Sequence, residues 1–385
     1  MTANKIEVAI IGAGIGGLAT ALSLRKQGIN AQVYEKARTL RPIGAGLTLF
    51  PNGLNSLAEI SPAIVDSLLS AGSQTHVLKV QKSNGETAFQ NHITLAEKYG
   101  QPMLNIRWSC LQEILAAALP PDTIHLNYRC NSFQQNDSSV EVSFDNGQTV
   151  RADLLIGADG INSVVRQQLI GDGSPRYAGR MSWRAVVKYK HELLPPDEVT
   201  LMTGTDSKNF MLIDVGGGYI FWSAASLTTD DTLSPPSAVK SRVLEEFSGW
   251  AEPIRAIVEA TDDIVERPIW DRPPLASWSQ GRVTLMGDAA HPIVPSLGQG
   301  ANMAFEDACV LGCLGNAPSI EAALAIYESI RLPRTQVIHA RSAFVGNRSY
   351  EADSEKYFQG VLDEAKFGND EFEEWLYNYD PVTLN

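Results

Sequence analysis

The chain has 385 residues, 44% of them apolar and 19% charged, enough to bury a sizeable core and ordinary for a folded enzyme. Its 44 acids against 31 bases leave a net charge of −13 with no Lys/Arg cluster, which excludes the positive stripe that nucleic-acid binding needs. The apolar run Val8–Ala13 is too short for a membrane span and no cleavable signal pattern precedes it, so a cytoplasmic protein is expected. Cys110, Cys130, Cys309 and Cys313 form no CxxC pair and have no His partners at zinc-finger spacing, so neither a disulfide framework nor a metal site is expected.

The chain opens with a buried-strand pattern, Glu7 to Ile11, followed by Gly12-Ala13-Gly14-Ile15-Gly16-Gly17 and an amphipathic helix to about Gln27. This is a dinucleotide fingerprint in its proper strand–turn–helix context. Gly12 permits a tight turn, Gly14 lets backbone approach a pyrophosphate, and Gly17 allows close packing of helix on strand. The phosphates would meet the helix start at Ile15 and Gly16. A second strand, Ala31 to Tyr34, ends in Glu35, about twenty residues past the first glycine, where an acid accepts hydrogen bonds from ribose hydroxyls; Lys36 follows it. The fingerprint alone leaves NAD and FAD open.

Strands near 76–104 and a strand-rich stretch between turn-rich seams at Pro175 and Thr261 follow, with Val215-Gly216-Gly217-Gly218-Tyr219 as a hairpin signal. Between them, strand Asp153 to Ile156 ends in Gly157-Ala158-Asp159-Gly160, and Ser163 and Arg166 lie one turn apart on the next helix. Met211, Ile213, Phe221 and Trp222 sit in strand patterns that serve either a core or an apolar pocket. Arg184 lies in another strand pattern, where it is either a ligand contact or an edge-strand surface residue.

Near the end, a short buried strand Val283 to Met286 turns at Gly287, so that Asp288 leaves the strand end pointing outward, suited to a sugar or ribityl hydroxyl. Pro292 and Pro295 forbid a helix there; Gly298 and Gly300 bare the backbone just before a helical pattern starting near Ala301. Unpaired N–H groups at that start favour negative charge such as that of a reduced isoalloxazine. A second cofactor-shaped turn some 270 residues from the first suits a long ligand, FAD. His291 reads as a brace for this loop. Ser319 to Arg331 reads as an amphipathic helix stopped by Pro333. Beyond Ala343, helices are expected to close the back of the molecule or form an oligomer contact, with Glu371 to Glu374 as a solvated face.

Taken together, GxGxxG, the Asp-Gly motif and Gly287-Asp288-Ala289-Ala290-His291 resemble the single-component, class A FAD monooxygenases related to para-hydroxybenzoate hydroxylase, over roughly residues 5 to 345. The resemblance implies an α/β fold: a Rossmann-like FAD-binding domain of the GR2 type (1–75, 105–175 and 265–342), an inserted mixed-sheet substrate domain (76–104 and 176–264) and a C-terminal helical region (343–385). It implies that Gly12, Gly14, Ile15, Gly16 and Gly17 hold the pyrophosphate, Glu35 and Lys36 the adenosine, and Asp288 the ribityl chain. Asp159 would serve FAD and NAD(P)H, supported by Gly160, Ser163 and Arg166. Gly298, Gln299, Gly300, Ala301 and Asn302 would lie against the isoalloxazine with Pro295 on the substrate side, and Gly44, Ala45, Gly46 and Pro51-Asn52-Gly53 would form a second flavin loop. Where relatives place an Arg three residues before Leu-Gln, this chain has Trp108, with Arg107 one position earlier; Arg107 either reaches the cofactor from a shifted backbone or the contact is lost.

Glu266 to Asp288 resembles zeaxanthin epoxidases and Glu374 to Asp380 salicylate hydroxylases, while the substrate-binding Arg of urate hydroxylases stands as Asn209. No Trp-x-Trp-x-Ile-Pro halogenase motif is present. The resemblance implies hydroxylation of a small aromatic or heteroaromatic substrate with NAD(P)H and O2 through a flavin C4a-hydroperoxide, with Pro295, Gly298, Gln299 and Arg184 at the reacting end, in a monomer or homodimer without nucleic-acid or transmembrane association. The alternatives are epoxidation of an alkene or terpenoid, a geranylgeranyl-reductase-like flavin reductase, or a flavoprotein that binds without turnover. His291 favours the oxygenase over the reductase.

Overall fold

Three chain segments far apart in sequence build one parallel sheet, and this is what creates the site. In the computed structural model, which describes residues 6–40, 45–204, 207–348, 356 and 371–381, strand Glu7–Ile11 lies at the centre of a six-stranded sheet. It pairs in parallel with Asn30–Glu35 on one side and Leu154–Gly157 on the other; Ile124–Leu126 and Val283–Leu285 extend the sheet, and Ser279–Gln280 closes one edge antiparallel. Near-continuous apolar strands such as Val8–Ile11 and Leu154–Ile156 suit a sheet covered on both faces. Three hydrogen bonds stitch the carboxyl ends of four strands side by side: Gly12 N–H donates to the Tyr34 carbonyl, Ala158 N–H to that of Ile11, and Met286 N–H to that of Gly157. All three sequence motifs therefore emerge at one sheet edge, where ligands of open α/β sheets bind.

The second large sheet has seven strands in the order Val265–Asp271, Arg176–Lys188, Tyr219–Leu227, Asn209–Asp214, Glu198–Thr203, Val77–Lys82 and Thr87–His92. All neighbours are antiparallel except Glu198–Thr203 and Val77–Lys82. Strand alternation divides its side chains. Trp183, Phe210 and Trp222 pack with Val243, Phe247 and Ile257 from the covering helices, while Arg184, Met211 and Ser223 face the other way. Trp222 is thus core, with its indole N–H on Thr261, whereas Met211, Ile213 and Phe221 line the cleft.

The Gly216-Gly217-Gly218 turn joins the two strands its pattern foretold, with all three glycines at positive φ. Three features differ from the sequence reading. Val265–Asp271, assigned by position to the 265–342 FAD-binding segment, pairs with Arg176–Lys188 in the seven-stranded sheet. The helix Ile320–Arg348 runs straight through Pro333. A proline costs one backbone hydrogen bond, and here Arg331 and Arg334 on either side are tied into a buried ion-pair network that holds the helix in place. The helix Glu371–Tyr377 packs over the front of the cleft rather than the back, because its Leu376 and Tyr377 are apolar and buried while Glu371 and Glu374 stay exposed.

Candidate active site

One cleft of about 2160 Å³ runs from the fingerprint turn to the seven-stranded sheet. That is more than twice a usual small-molecule site, room for a dinucleotide and a second compound together. At one end, the glycines divide their tasks. A Cβ on Gly17 would lie 2.1 Å from the Gly12 carbonyl oxygen, so only glycine lets the helix Ile15–Lys26 pack on the strand. A Cβ on Gly14 would meet nothing within 4 Å, because that position opens on the cleft. The protein's own packing does not demand glycine there, and the bare backbone faces the cleft at the start of the helix, where Ile15 and Gly16 also line the wall. Glu35 accepts from the N–H groups of Ala13 (2.9 Å) and Ala37 (2.8 Å), one on each carboxylate oxygen, which fixes it at the strand end beside this turn. Lys36 is exposed and outside the cleft lining.

The Asp-Gly turn braces the neighbouring one. Asp159 caps the helix Val164–Leu169 by accepting from Val164 N–H (2.7 Å) and the Ser163 hydroxyl; burial raises its carboxyl's pKa against these bonds. Arg166 is wholly buried and donates to the carbonyls of Ala289 and Ala290, at 3.0 and 3.1 Å, so it holds the turn that presents Asp288. Asp288 opens onto the cleft but is enclosed by protein elsewhere, and burial raises its carboxyl's pKa while His291 opposes the shift.

Past Asp288, Gly298 takes a left-handed φ of 64° and the helix Gly300–Leu311 begins. A Cβ on Gly300 would sit 4.0 Å from the Asp288 carboxylate, so the two features adjoin. Pro295, Gly298, Gly300 and Ala301 line the cleft. Gln299 and Asn302 do not. Gln299 is fully buried, its side-chain carbonyl accepting from Asn52 (2.9 Å). Asn302 accepts from Phe50 N–H (2.9 Å) and donates to the Thr48 and Gly298 carbonyls, tying the helix start to the loop after Gly46–Leu49. A Cβ on Gly53 would strike that amide at 2.2 Å. Gly46 and Ala45 line the cleft; Gly44 lies outside the described residues.

The Arg107 guanidinium lies over the Tyr219 ring at 4.5 Å, and Trp108 rather than Arg107 lines the cleft wall. Arg184 lies on the second strand of the sheet, not an edge, and faces the cleft. His291 is a brace as expected: its Nε2 pairs with Asp307 at 2.6 Å, and the same carboxylate oxygen accepts from Gly287 N–H at 2.9 Å.

The sequence reading missed the network beneath the helix start. Arg331 bridges Glu306 and Asp307, and Arg334 makes a two-pronged pair with Glu306 at 2.8 and 3.0 Å. Asn52 joins Glu306 at 2.6 Å. Burial alone would raise the Asp307 carboxyl, but His291 and Arg331 overcome it and hold it at about 2. Two adjacent acids on an otherwise apolar helix and two arginines flanking a proline were the available signals.

A largely parallel nucleotide-binding sheet, with a glycine cradle, an acidic turn and an open helix start converging on one cleft under a mixed, mostly antiparallel sheet, defines an FAD-binding flavoprotein. A family model described as an FAD binding domain matches residues 5–342, and the chain belongs to that family. It is 33% identical over 345 residues to an aurachin C monooxygenase/isomerase of Stigmatella aurantiaca, covering 89% of each chain. To a 3-amino-4-hydroxybenzoate 2-monooxygenase of Streptomyces cremeus it is 32% identical, covering 89% of this chain and 87% of the relative. Among solved structures, Klebsiella pneumoniae HpxO complexed with FAD and uric acid superposes with a TM-score of 0.88 at 26% identity, covering 97% of this chain and 96% of that one. The chain is an FAD-dependent monooxygenase of this family.

Proposed function

We propose that the protein uses NAD(P)H and O2 to hydroxylate a small aromatic or heteroaromatic compound bound between the Pro295–Ala301 edge and the seven-stranded sheet. The observation that carries this reading is the continuity of the cleft. One wall holds the glycine cradle, Asp288 and the open N–H groups of the helix Gly300–Leu311; the facing wall is apolar, with Met211, Ile213, Phe221 and Leu201. Bound FAD supplies the oxygen activation. The chain's own residues supply position, charge and exclusion of water. Gly12, Gly14, Ile15, Gly16 and Gly17 hold the pyrophosphate, Glu35 stands at the adenosine ribose, and Asp288 orients the ribityl hydroxyls. The helix start at Gly298, Gly300 and Ala301 stabilises negative charge on the ring's pyrimidine edge. Pro295 and Ile293 narrow the opening on the substrate side, and Phe50 and Tyr377, stacked at 5.4 Å between ring centres, keep the far end dry. No side chain is required as a nucleophile.

The relatives' names span several compounds, among them an aminohydroxybenzoate for the Streptomyces cremeus protein and uric acid in the Klebsiella pneumoniae complex, both planar rings rich in electrons. The test is compound-stimulated oxidation of NADH and of NADPH with incorporation of label from 18O2. A compound that accelerates oxidation and acquires one labelled oxygen supports the proposal. Stimulated oxidation without incorporation across phenols, hydroxybenzoates and hydroxylated N-heterocycles overturns it.

A further inference from the structure

The helix Gly300–Leu311 carries two acids in its second turn, Glu306 and Asp307, and both are wholly buried. They meet two guanidiniums from the helix Ile320–Arg348. Arg331 bonds Glu306 and reaches Asp307 at 2.8 Å, while Arg334 holds both oxygens of Glu306 and lies over the Tyr379 ring at 3.8 Å. Two carboxylates and two cations cancel. Apolar residues of similar volume would pack such a helix about as stably, so stability alone does not account for four buried charges in balance.

The quartet reaches the cleft wall from beneath. Asp307 holds Gly287 N–H at 2.9 Å, and Gly287 lines the cleft next to Asp288. Glu306 holds Asn52 at 2.6 Å, and Asn52 donates at 2.9 Å to Gln299, which caps the helix start. Along the helix axis the two acids lie about 10 Å from the open N–H groups at Gly300. In a dry interior a net charge still acts over that distance. The Asp288 carboxylate already lies beside Gly300. An unbalanced acid beneath the helix would mask its positive end, and an unbalanced cation would strengthen it.

From this arrangement we propose that Glu306, Asp307, Arg331 and Arg334 are positioning residues that tune the reduction potential of FAD. Reduction adds two electrons and one proton to the ring and leaves one negative charge on it. The balanced quartet leaves the helix start positive enough to hold that charge. The proposal rests on the reading that Gly298, Gly300 and Ala301 face the ring's pyrimidine edge, and it extends that reading to four residues outside the cleft lining.

The potential of the FAD-loaded protein is measured by spectral titration against reference dyes. Arg334→Met leaves one negative charge in excess and is expected to shift the reduction equilibrium about tenfold toward the oxidised form, about 30 mV for two electrons. Glu306→Gln and Asp307→Asn each leave one positive charge in excess and shift it the other way by a similar factor. The double variant Glu306→Gln/Arg334→Met restores the balance and returns to within about threefold of wild type. Loosening of the structure has no such sign, since it moves the potential one way whichever charge is lost. If Arg334→Met does not fold, the two acid variants set against the balanced double variant make the same test. Acid and arginine variants that shift alike, no shift in any folded variant, or a double variant that keeps the shift of Glu306→Gln overturns the proposal. Ala301→Asp, which puts an anion in the helix start on the cleft wall, separates the two levels. If it neither weakens FAD binding nor lowers the potential, the ring lies elsewhere and both readings fall. If it does either while the quartet variants are silent, the placement of the ring stands and the tuning falls.

Discussion

Gly14 and Gly17 stand three residues apart and answer to different partners. Gly17 is glycine because the Gly12 carbonyl lies 2.1 Å from where a Cβ would be, whereas Gly14 faces only the cleft. Gly14→Val is therefore expected to leave the unfolding free energy of the FAD-free protein within about 0.5 kcal/mol of wild type, the usual range for a site that touches no protein neighbour. It lowers FAD affinity by at least tenfold, measured by flavin fluorescence on dilution. Gly17→Ala does the reverse, destabilising the fold through a backbone clash. If Gly14→Val retained FAD normally, the pyrophosphate would lie elsewhere. Both glycines were legible from the fingerprint spacing. Arg107 and Trp108 were not, because which of two adjacent residues faces a cleft depends on where strand Leu104–Arg107 ends and the next helix begins.

The helix Gly300–Leu311 presents its open end to the cleft and anchors its other face by charge. Glu306, Asp307, Arg331 and Arg334 are all buried, so each cation holds a carboxylate that could not otherwise remain ionised. Arg331→Met leaves two buried carboxylates under-compensated and is expected to cost about 3–5 kcal/mol, read from denaturant midpoints. A loss below about 1 kcal/mol would show that the network is incidental.

The same pairs make stability depend on acid. Asp307 is held at about 2 against an ordinary 3.8, so the unfolded chain binds its proton more readily. The contribution is fully present above the unfolded value and disappears as pH falls from about 4 to 2. Asp307→Asn is expected to flatten the fall in melting temperature over that window, though it is less stable at pH 7. An unaltered acid profile would reject this role.

At the scale of the molecule, the site exists only where two sheets and the C-terminal helix meet. Leu376 and Tyr377 close the apolar end of the cleft, and Arg334 holds that helix by donating to the Trp375 and Leu376 carbonyls at 3.2 and 2.8 Å. Removing residues 371–385 exposes Phe50 and Met211 to water. Wet oxygenase sites waste reductant, so hydrogen peroxide released per NAD(P)H consumed is expected to rise several-fold in the truncated protein. An unchanged ratio would mean that another element seals the cleft.

The local sequence determined whatever depends on neighbours along the chain: the glycine turns, the buried strands that precede them, the acid at position 288, the triple-glycine hairpin and, through them, the FAD family. These are contacts and backbone conformations spanning a few residues, and they leave a pattern in composition and spacing. The tertiary structure alone decided the rest. It showed that Trp222 is core while Phe221 lines the cleft, that Gln299 faces inward, and that Pro333 lies inside a helix. Each of these is set by a partner tens or hundreds of residues away, and only folding brings such partners within reach.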